Sequence, residues 1–223
     1  QKAFMDPKHY DDVSGYTNPK ESEHDLFTIG HTSTSLSLAS GILHARDLKN
    51  EKSNVVAIIG DGALSGGMAY EGLNTIATLG TNAIIIINDN DQSIAKNPKG
   101  GIYTALESLR ETKGQAKNNI FKALGYDYHY LENGNNLKEL ISLFKEVKDI
   151  DYPVVLHIYT EKGKGFKPAE QNHEKFHAGG PFSLETGEYI KKGTVSQTYN
   201  GITTEYLTKK LNEDPLAVVI NAG

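Results

Sequence analysis

Apolar residues follow two rhythms along this chain. Val55 to Ile59, Ala83 to Ile87 and Pro153 to Tyr159 are short, β-branched runs with almost no polar residue between the apolar ones, and they read as strands buried on both faces. Longer segments carry apolar residues three and four positions apart and read as helices: Ser33 to Leu48, Gly67 to Leu79, Ile102 to Arg110, Gln115 to Leu124 and Leu137 to Val147. Thr32 or Ser33 is available to cap the first of these, and Tyr126 to Leu131 adds a short strand. Strand, helix, strand in that order, with apolar strands, predicts right-handed βαβ units and an α/β fold built on a parallel sheet flanked by helices.

The flanks differ. Residues 1–25 are polar and rich in turn formers (Pro7, Gly15, Asn18, Pro19) and are expected to be irregular. Thr160 to Lys192 is rich in Gly, Pro and Lys, a long irregular segment of the kind that usually serves function. A helix over Thr203 to Leu211 and a strand over Leu216 to Ile220 restart the pattern at the end. The expected domain division is residues 1–195, then 196–223 as a linker with the first helix and strand of a second domain.

The strand of four isoleucines runs straight into Asn88, Asp89, Asn90 and Asp91, while the strand before it ends in Gly60, Asp61 and Gly62. Ligands of open parallel sheets bind beyond the carboxyl ends of the strands. Asp61 and Asn90, one βαβ unit apart, are therefore expected to meet at one end of the sheet. A carboxylate and an amide oxygen with a backbone carbonyl nearby suit a hard cation such as magnesium or calcium, and magnesium bound so sparsely favours a diphosphate as its remaining ligand. The helix after Gly62 points its N-terminus at the same place. "GDGALSGG" lacks the Lys-Ser/Thr ending of a P-loop, Ser65 stands where a dinucleotide fingerprint needs glycine, and "DNDQSI" lacks the glycine and distal Glu of an EF-hand. "HEKFH", His173 to His177, spells a zinc-protease pattern, but Pro168 before it and Gly179, Gly180 and Pro181 after it leave barely two helical turns, so His173 is expected on a surface loop. His157 is expected to be a core or sheet-face histidine.

Composition narrows the classes. The 223 residues suffice for one large domain or one and a half smaller ones, and 38% hydrophobic with 23% charged residues marks an ordinary globular chain. Cysteine is absent, which excludes disulfides, thiolate metal sites and cysteine nucleophiles and fits a cytoplasmic protein. A net charge of -5 without a basic stripe argues against nucleic acid. No apolar run is long enough to cross a bilayer, and no membrane partner is expected. The chain opens on Gln1 and its first methionine is Met5, so the natural start is expected to lie outside it.

"GDG" followed at this interval by an Asn-rich strand end resembles the thiamine diphosphate motif. More narrowly, "GHTSTSLSLASG", "GDGALSGGMAYEGLN", "NDNDQSI" and "EKGKGFKPAE" with "FHA" resemble the blocks of 1-deoxy-D-xylulose-5-phosphate synthase, a transketolase-like family, from about Ser22 to the C-terminus. The resemblance implies that Asp61, Asn90 and the main chain of Gln92 bind magnesium. It implies that Gly30, His31, Thr32, Gly62 and Ala63 contact the diphosphate, and that Phe166 and Lys164 lie beside the cofactor. His177, with His31, is implied to be catalytic and to face the substrate. The implied reaction joins pyruvate, with loss of carbon dioxide, to glyceraldehyde 3-phosphate, in a homodimer supplying isoprenoid and thiamine precursors. A glutamate of a second, pyrimidine-binding domain is implied to activate the cofactor, so the 223 residues alone are expected not to turn over. Another transketolase-like ketol transferase, a split-subunit thiamine diphosphate enzyme and a catalytically silent cofactor-binding protein remain as alternatives. Three departures bear on substrate rather than metal: Gln92 stands where methionine is common, Glu111 to Ala116 replaces a longer basic insertion, and "YLENGNNL" replaces "VDGHDL". Lys162, Lys164 and Lys167 serve equally as a solvated loop or as phosphate contacts.

Overall fold

The computed structural model describes residues 15–190 and 198–220. The chain divides into two compact units, Gln1–Glu174 and Lys175–Gly223. In the first, the order is α1 (Ser35–Leu48), β1 (Val56–Gly60), α2 (Asp61–Leu64), α3 (Gly67–Leu79), β2 (Ala83–Asp89), α4 (Gly101–Glu111), α5 (Ile120–Ala123), β3 (Asp127–Leu131), α6 (Leu137–Val147), β4 (Pro153–Tyr159) and α7 (Lys167–Gln171). The strands form one parallel sheet in the order β1-β2-β4-β3.

The unbroken apolar strands are the central ones because helices cover both faces of the sheet there. Ile85 and Ile87 of β2 and Val155 of β4 join Ala57 and Ile59 of β1 in a core with residues of α1, α3 and α4. Ile84 and Ile86, with Val154, Leu156 and Ile158, pack on the other face against Val147, Leu140 and Leu143 of α6. On edge strand β1 only one face is covered: Ala57 and Ile59 are buried, whereas Val56 and Ile58 are exposed. Local chemistry sets the helix ends. Gly80 stops α3 in the left-handed region at φ 62°. The side chain of Asn136 starts α6 by accepting from the amides of Lys138 and Glu139.

Two expectations for the first unit change. Helix α1 begins at Ser35 behind Thr34, which makes no side-chain cap bond: the Thr34 hydroxyl donates to the His31 carbonyl and that of Ser33 to the Ala63 carbonyl. The helix expected over Gln115 to Leu124 shrinks to α5, since the extended Asn119 caps it by accepting from the amides of Phe121 and Lys122. In the second unit, Phe182 and Tyr189 form an antiparallel bridge and α8 (Tyr199–Glu213) is capped by Thr198, whose side chain accepts from the Gly201 amide. Leu216 to Ile220 is not a strand. Its apolar side chains are exposed, and a lone extended segment without a paired neighbour gains no ladder hydrogen bonds. The division expected between residues 195 and 196 lies outside the described residues. Among the described residues no helix is long and apolar enough to cross a membrane.

Candidate functional site

Parallel pairing brings β1 and β2 to the same level, with Gly60 opposite Asn88. The next residue on β1 is Asp61, which opens α2, and β2 runs on through Asp89 into the loop containing Asn90. Asp61 is only 2% exposed, and its Oδ2 accepts from Asn97 Nδ2 at 2.5 Å. The amide of Gln92 donates to Asn90 Oδ1 at 3.2 Å. The loop carrying Asn90 and Gln92 thus folds against Asp61, as their spacing predicts, with Asn97 of the same loop bonded to the carboxylate.

Burial, and after it the charge of Asp89, pushes the Asp61 carboxyl above its usual range; Asn97 and the amides of Gly62 and Gln92 offset only part of this. Asn97 Oδ1 is itself buried with no hydrogen-bond partner. One buried carboxylate, the amide oxygen of Asn90 and an orphaned oxygen beside them form a donor set that fits a hard divalent cation. Among the described residues no cluster of three His, Asp or Glu side chains offers an alternative metal centre.

Two contacts lock the loops around this point. A Cβ on Gly62 would lie 3.0 Å from the Cβ and Oγ of Ser93, so α2 seats directly on the loop after Asn90. Ser33, at φ 67°, donates its hydroxyl to the Ala63 carbonyl at 2.6 Å and fills the space a side chain on Gly66 would need. That docks the "GHTS" segment onto α2. Gly30, His31 and Thr32 are exposed in that segment, next to the Ala63 end of α2.

Asn90 and Gln92 also line a cleft of about 820 Å³ with Asn133, Asn135, Tyr159, Thr160 and Lys164. Lys164 is exposed and pairs with Glu161 at 2.6 Å, while Lys162 reaches the carbonyl of Ser93. Phe166 is the N-cap of α7 and is not one of the residues lining the cleft. His177 belongs to the second unit, where it is exposed.

Four side chains that the sequence reading did not place at this site also gather at this end of the sheet. Asn97 is one. His173 is another: it lies in a loop outside any helix, as expected, but Gln92 Nε2 donates to its Nδ1 at 2.6 Å and its Nε2 is buried. Helix α7 ends at Gln171, before His173, so the zinc-protease spelling has no helix to stand on. The other two belong to a buried network. His157 is a core histidine, as expected, and its Nε2 donates to Asp89 Oδ2 at 2.8 Å while the Tyr128 hydroxyl lies 2.7 Å from Nδ1. Arg110 completes the network, NH1 donating to Asp89 Oδ2 at 2.6 Å and NH2 to Asp91 Oδ1 at 2.9 Å. Burial acts to raise the Asp89 carboxyl, but hydrogen bonds from His157, Arg110 and the Asp91 amide outweigh it and hold it below its usual range. No spacing rule links Arg110 or Asn97 to Asp61, since both arrive through the fold of the loop.

The fold and the site define a parallel α/β domain whose side-chain oxygens gather at the carboxyl end of its sheet. The family model for 1-deoxy-D-xylulose-5-phosphate synthase matches residues 1–119 and 104–160. A relative of that name from Listeria monocytogenes is 41% identical over 93% of this chain, and one from Clostridium acetobutylicum 40% identical over 99%. This chain belongs to the 1-deoxy-D-xylulose-5-phosphate synthase family. It spans 35% and 41% of the lengths of those two relatives. A transketolase from Campylobacter jejuni aligns with a TM-score of 0.48 at 20% identity, over 64% of this chain and 21% of its own.

Proposed function

We propose that this chain carries the magnesium and diphosphate half of a thiamine diphosphate enzyme that condenses pyruvate, with loss of carbon dioxide, and glyceraldehyde 3-phosphate to 1-deoxy-D-xylulose 5-phosphate. The observation that carries the reading is the meeting of buried Asp61 with the loop of Asn90 at the ends of two adjacent parallel strands, where Asn97 of that loop donates to the carboxylate and Gly62 abuts Ser93. The names of the relatives supply the product, and the resemblance of the sequence blocks implies the two substrates.

In this reading Asp61, Asn90 and the main chain of Gln92 hold Mg²⁺. Exposed Gly30, His31 and Thr32, with Gly62 and Ala63 of α2, receive the diphosphate; Ser33 keeps the two segments together. Lys164 and Phe166 line the cofactor, and His177 and His31 hydrogen-bond the substrate. When bound, thiamine diphosphate supplies a carbon nucleophile and an electron sink. The protein's share is to anchor the charged end so that the reacting end keeps one position. The buried Asp61 carboxylate, costly to ionise beside Asp89, gains most from a cation and so couples cofactor and metal binding. A cytoplasmic homodimer is part of the proposal, the first supported by the absence of cysteine.

The test is carbon dioxide release from labelled pyruvate by a chain extended through its second domain, with thiamine diphosphate and Mg²⁺, with and without glyceraldehyde 3-phosphate. Release that rises with the aldehyde and disappears in Asp61→Ala is the expected result. Cofactor binding without release from pyruvate rejects the synthase assignment.

A further inference from the structure

Asn90 sits between two carboxylates that a single guanidinium holds. Asp89, fully buried, is the last residue of β2, with its carbonyl accepting from the Thr160 amide at 2.8 Å. Asp91, one residue beyond Asn90, is in the left-handed region at φ 58°, a conformation costly for a residue with a Cβ. The chain therefore leaves the sheet through a tight turn centred on Asn90, closed by the Asp91 amide donating to Asp89 Oδ1 at 3.0 Å. Arg110, in the last turn of α4, spans this turn from outside: one nitrogen binds Asp89 and another binds Asp91. The guanidinium is mostly buried and lies 5.7 Å from the centre of the Tyr159 ring, so its plane is fixed by packing as well as by charge.

We infer that Arg110 is a positioning residue for the cation site, acting through Asp91 to hold the turn that carries Asn90 and Gln92 beside Asp61. This rests on the proposed reading of Asp61 and Asn90 as metal ligands. Satisfying the buried Oδ2 of Asp89 alone needs no fork, because His157 already donates to the same oxygen. The second arm, to the partly exposed Asp91, fixes the turn. Lysine offers one charge and one centre and cannot make both contacts in this geometry.

The experiment measures, by calorimetry on the full chain, the Mg²⁺ concentration needed for half-maximal thiamine diphosphate binding, alongside thermal stability. Wild type, Arg110→Lys, Asp91→Ala and the double variant are compared. The expected result is a rise of about 10- to 100-fold in the Mg²⁺ requirement in each single variant, the usual loss when a residue supporting metal ligands is removed. The double variant should match the singles, because both changes break one contact. An unchanged Mg²⁺ requirement in Arg110→Lys, or effects that add in the double variant, overturns the inference. Should Arg110→Lys not fold, Asp91→Ala alone decides, an unchanged requirement again overturning it. If wild-type binding does not depend on Mg²⁺, the metal-site reading itself falls, and the inference with it.

Discussion

Ser33 and Gly66 occupy a space that holds only one side chain. An atom at the Cβ position of Gly66 would lie 2.3 Å from Ser33 Oγ and 2.6 Å from Ser33 Cβ, while that hydroxyl is committed to the Ala63 carbonyl. The pair joins the loop before α1 to the turn between α2 and α3, which carry the proposed diphosphate contacts.

Overpacking at such a site costs about 1–3 kcal/mol, so Gly66→Ala should lower unfolding free energy by about 2 kcal/mol. In a Ser33→Gly background both overlapping atoms are gone, and glycine adopts the left-handed backbone without strain. There the same Gly66→Ala change should cost under about 0.5 kcal/mol. Urea unfolding of the four proteins measures this cycle. Equal costs in both backgrounds mean that Ser33 is not what excludes a side chain at position 66.

Asp61 sets up an exchange between stability and binding. Its carboxyl is raised by burial and by Asp89, so the folded protein holds this proton more tightly than the unfolded chain does. The folded state then binds more protons than the unfolded one just above the ordinary carboxylate range, and stability falls as pH rises through it. At neutral pH without added cation, Asp61→Asn should therefore be more stable than wild type by about 1 kcal/mol. The gain should vanish below about pH 4, where the carboxyl is protonated in both states. The same variant should lose Mg²⁺-dependent thiamine diphosphate binding. A variant less stable than wild type at neutral pH contradicts the account of a strained carboxylate.

Two tyrosines under the sheet make the fold alkali-sensitive. Tyr126 donates to the Leu73 carbonyl at 2.6 Å and Tyr128 meets His157, and burial pushes both phenols far above their ordinary value. Above about pH 10 the unfolded chain loses protons that the folded chain keeps. Each phenol then removes about 1.4 kcal/mol of stability per pH unit until the fold opens. Phenolate absorbance should show the two rings titrating only with unfolding. Tyr126→Phe and Tyr128→Phe should each flatten the decline, and a decline unaltered in both assigns alkaline sensitivity elsewhere.

How much of this was legible beforehand depends on range. Ile84 to Ile87 announced a strand buried on both faces, and "GDG" with "NDN" announced that two such strands end at one place, because parallel register converts sequence spacing into proximity. Arg110 read only as a cation in a helix's last turn, and its fork on Asp89 and Asp91 depends on how the 91–100 loop folds back. His173 lies at the end of an irregular segment whose spacing carries no periodicity. Leu216 to Ile220 failed for a related reason: β-branched content predicts a strand only where a partner exists to pair with it.

Asn97 shows most directly what that loop contributes. It is 9% exposed, donates to Asp61 Oδ2, and keeps its own Oδ1 without a partner. A neutral donor steadies the ionised carboxylate without competing as a charge, while the orphaned oxygen gives the amide no structural contact on that side. Asn97→Ala should therefore weaken Mg²⁺-dependent thiamine diphosphate binding by about 10-fold or more through loss of support to Asp61. Asn97→Asp puts a second carboxylate against Asp61, so it should weaken binding further at low Mg²⁺ and recover part of the loss as Mg²⁺ rises, because the added charge also attracts the cation. Calorimetric titrations over a range of Mg²⁺ separate the two. If Asn97→Ala binds as wild type does, Asp61 does not depend on Asn97, which then belongs to the loop rather than to the site.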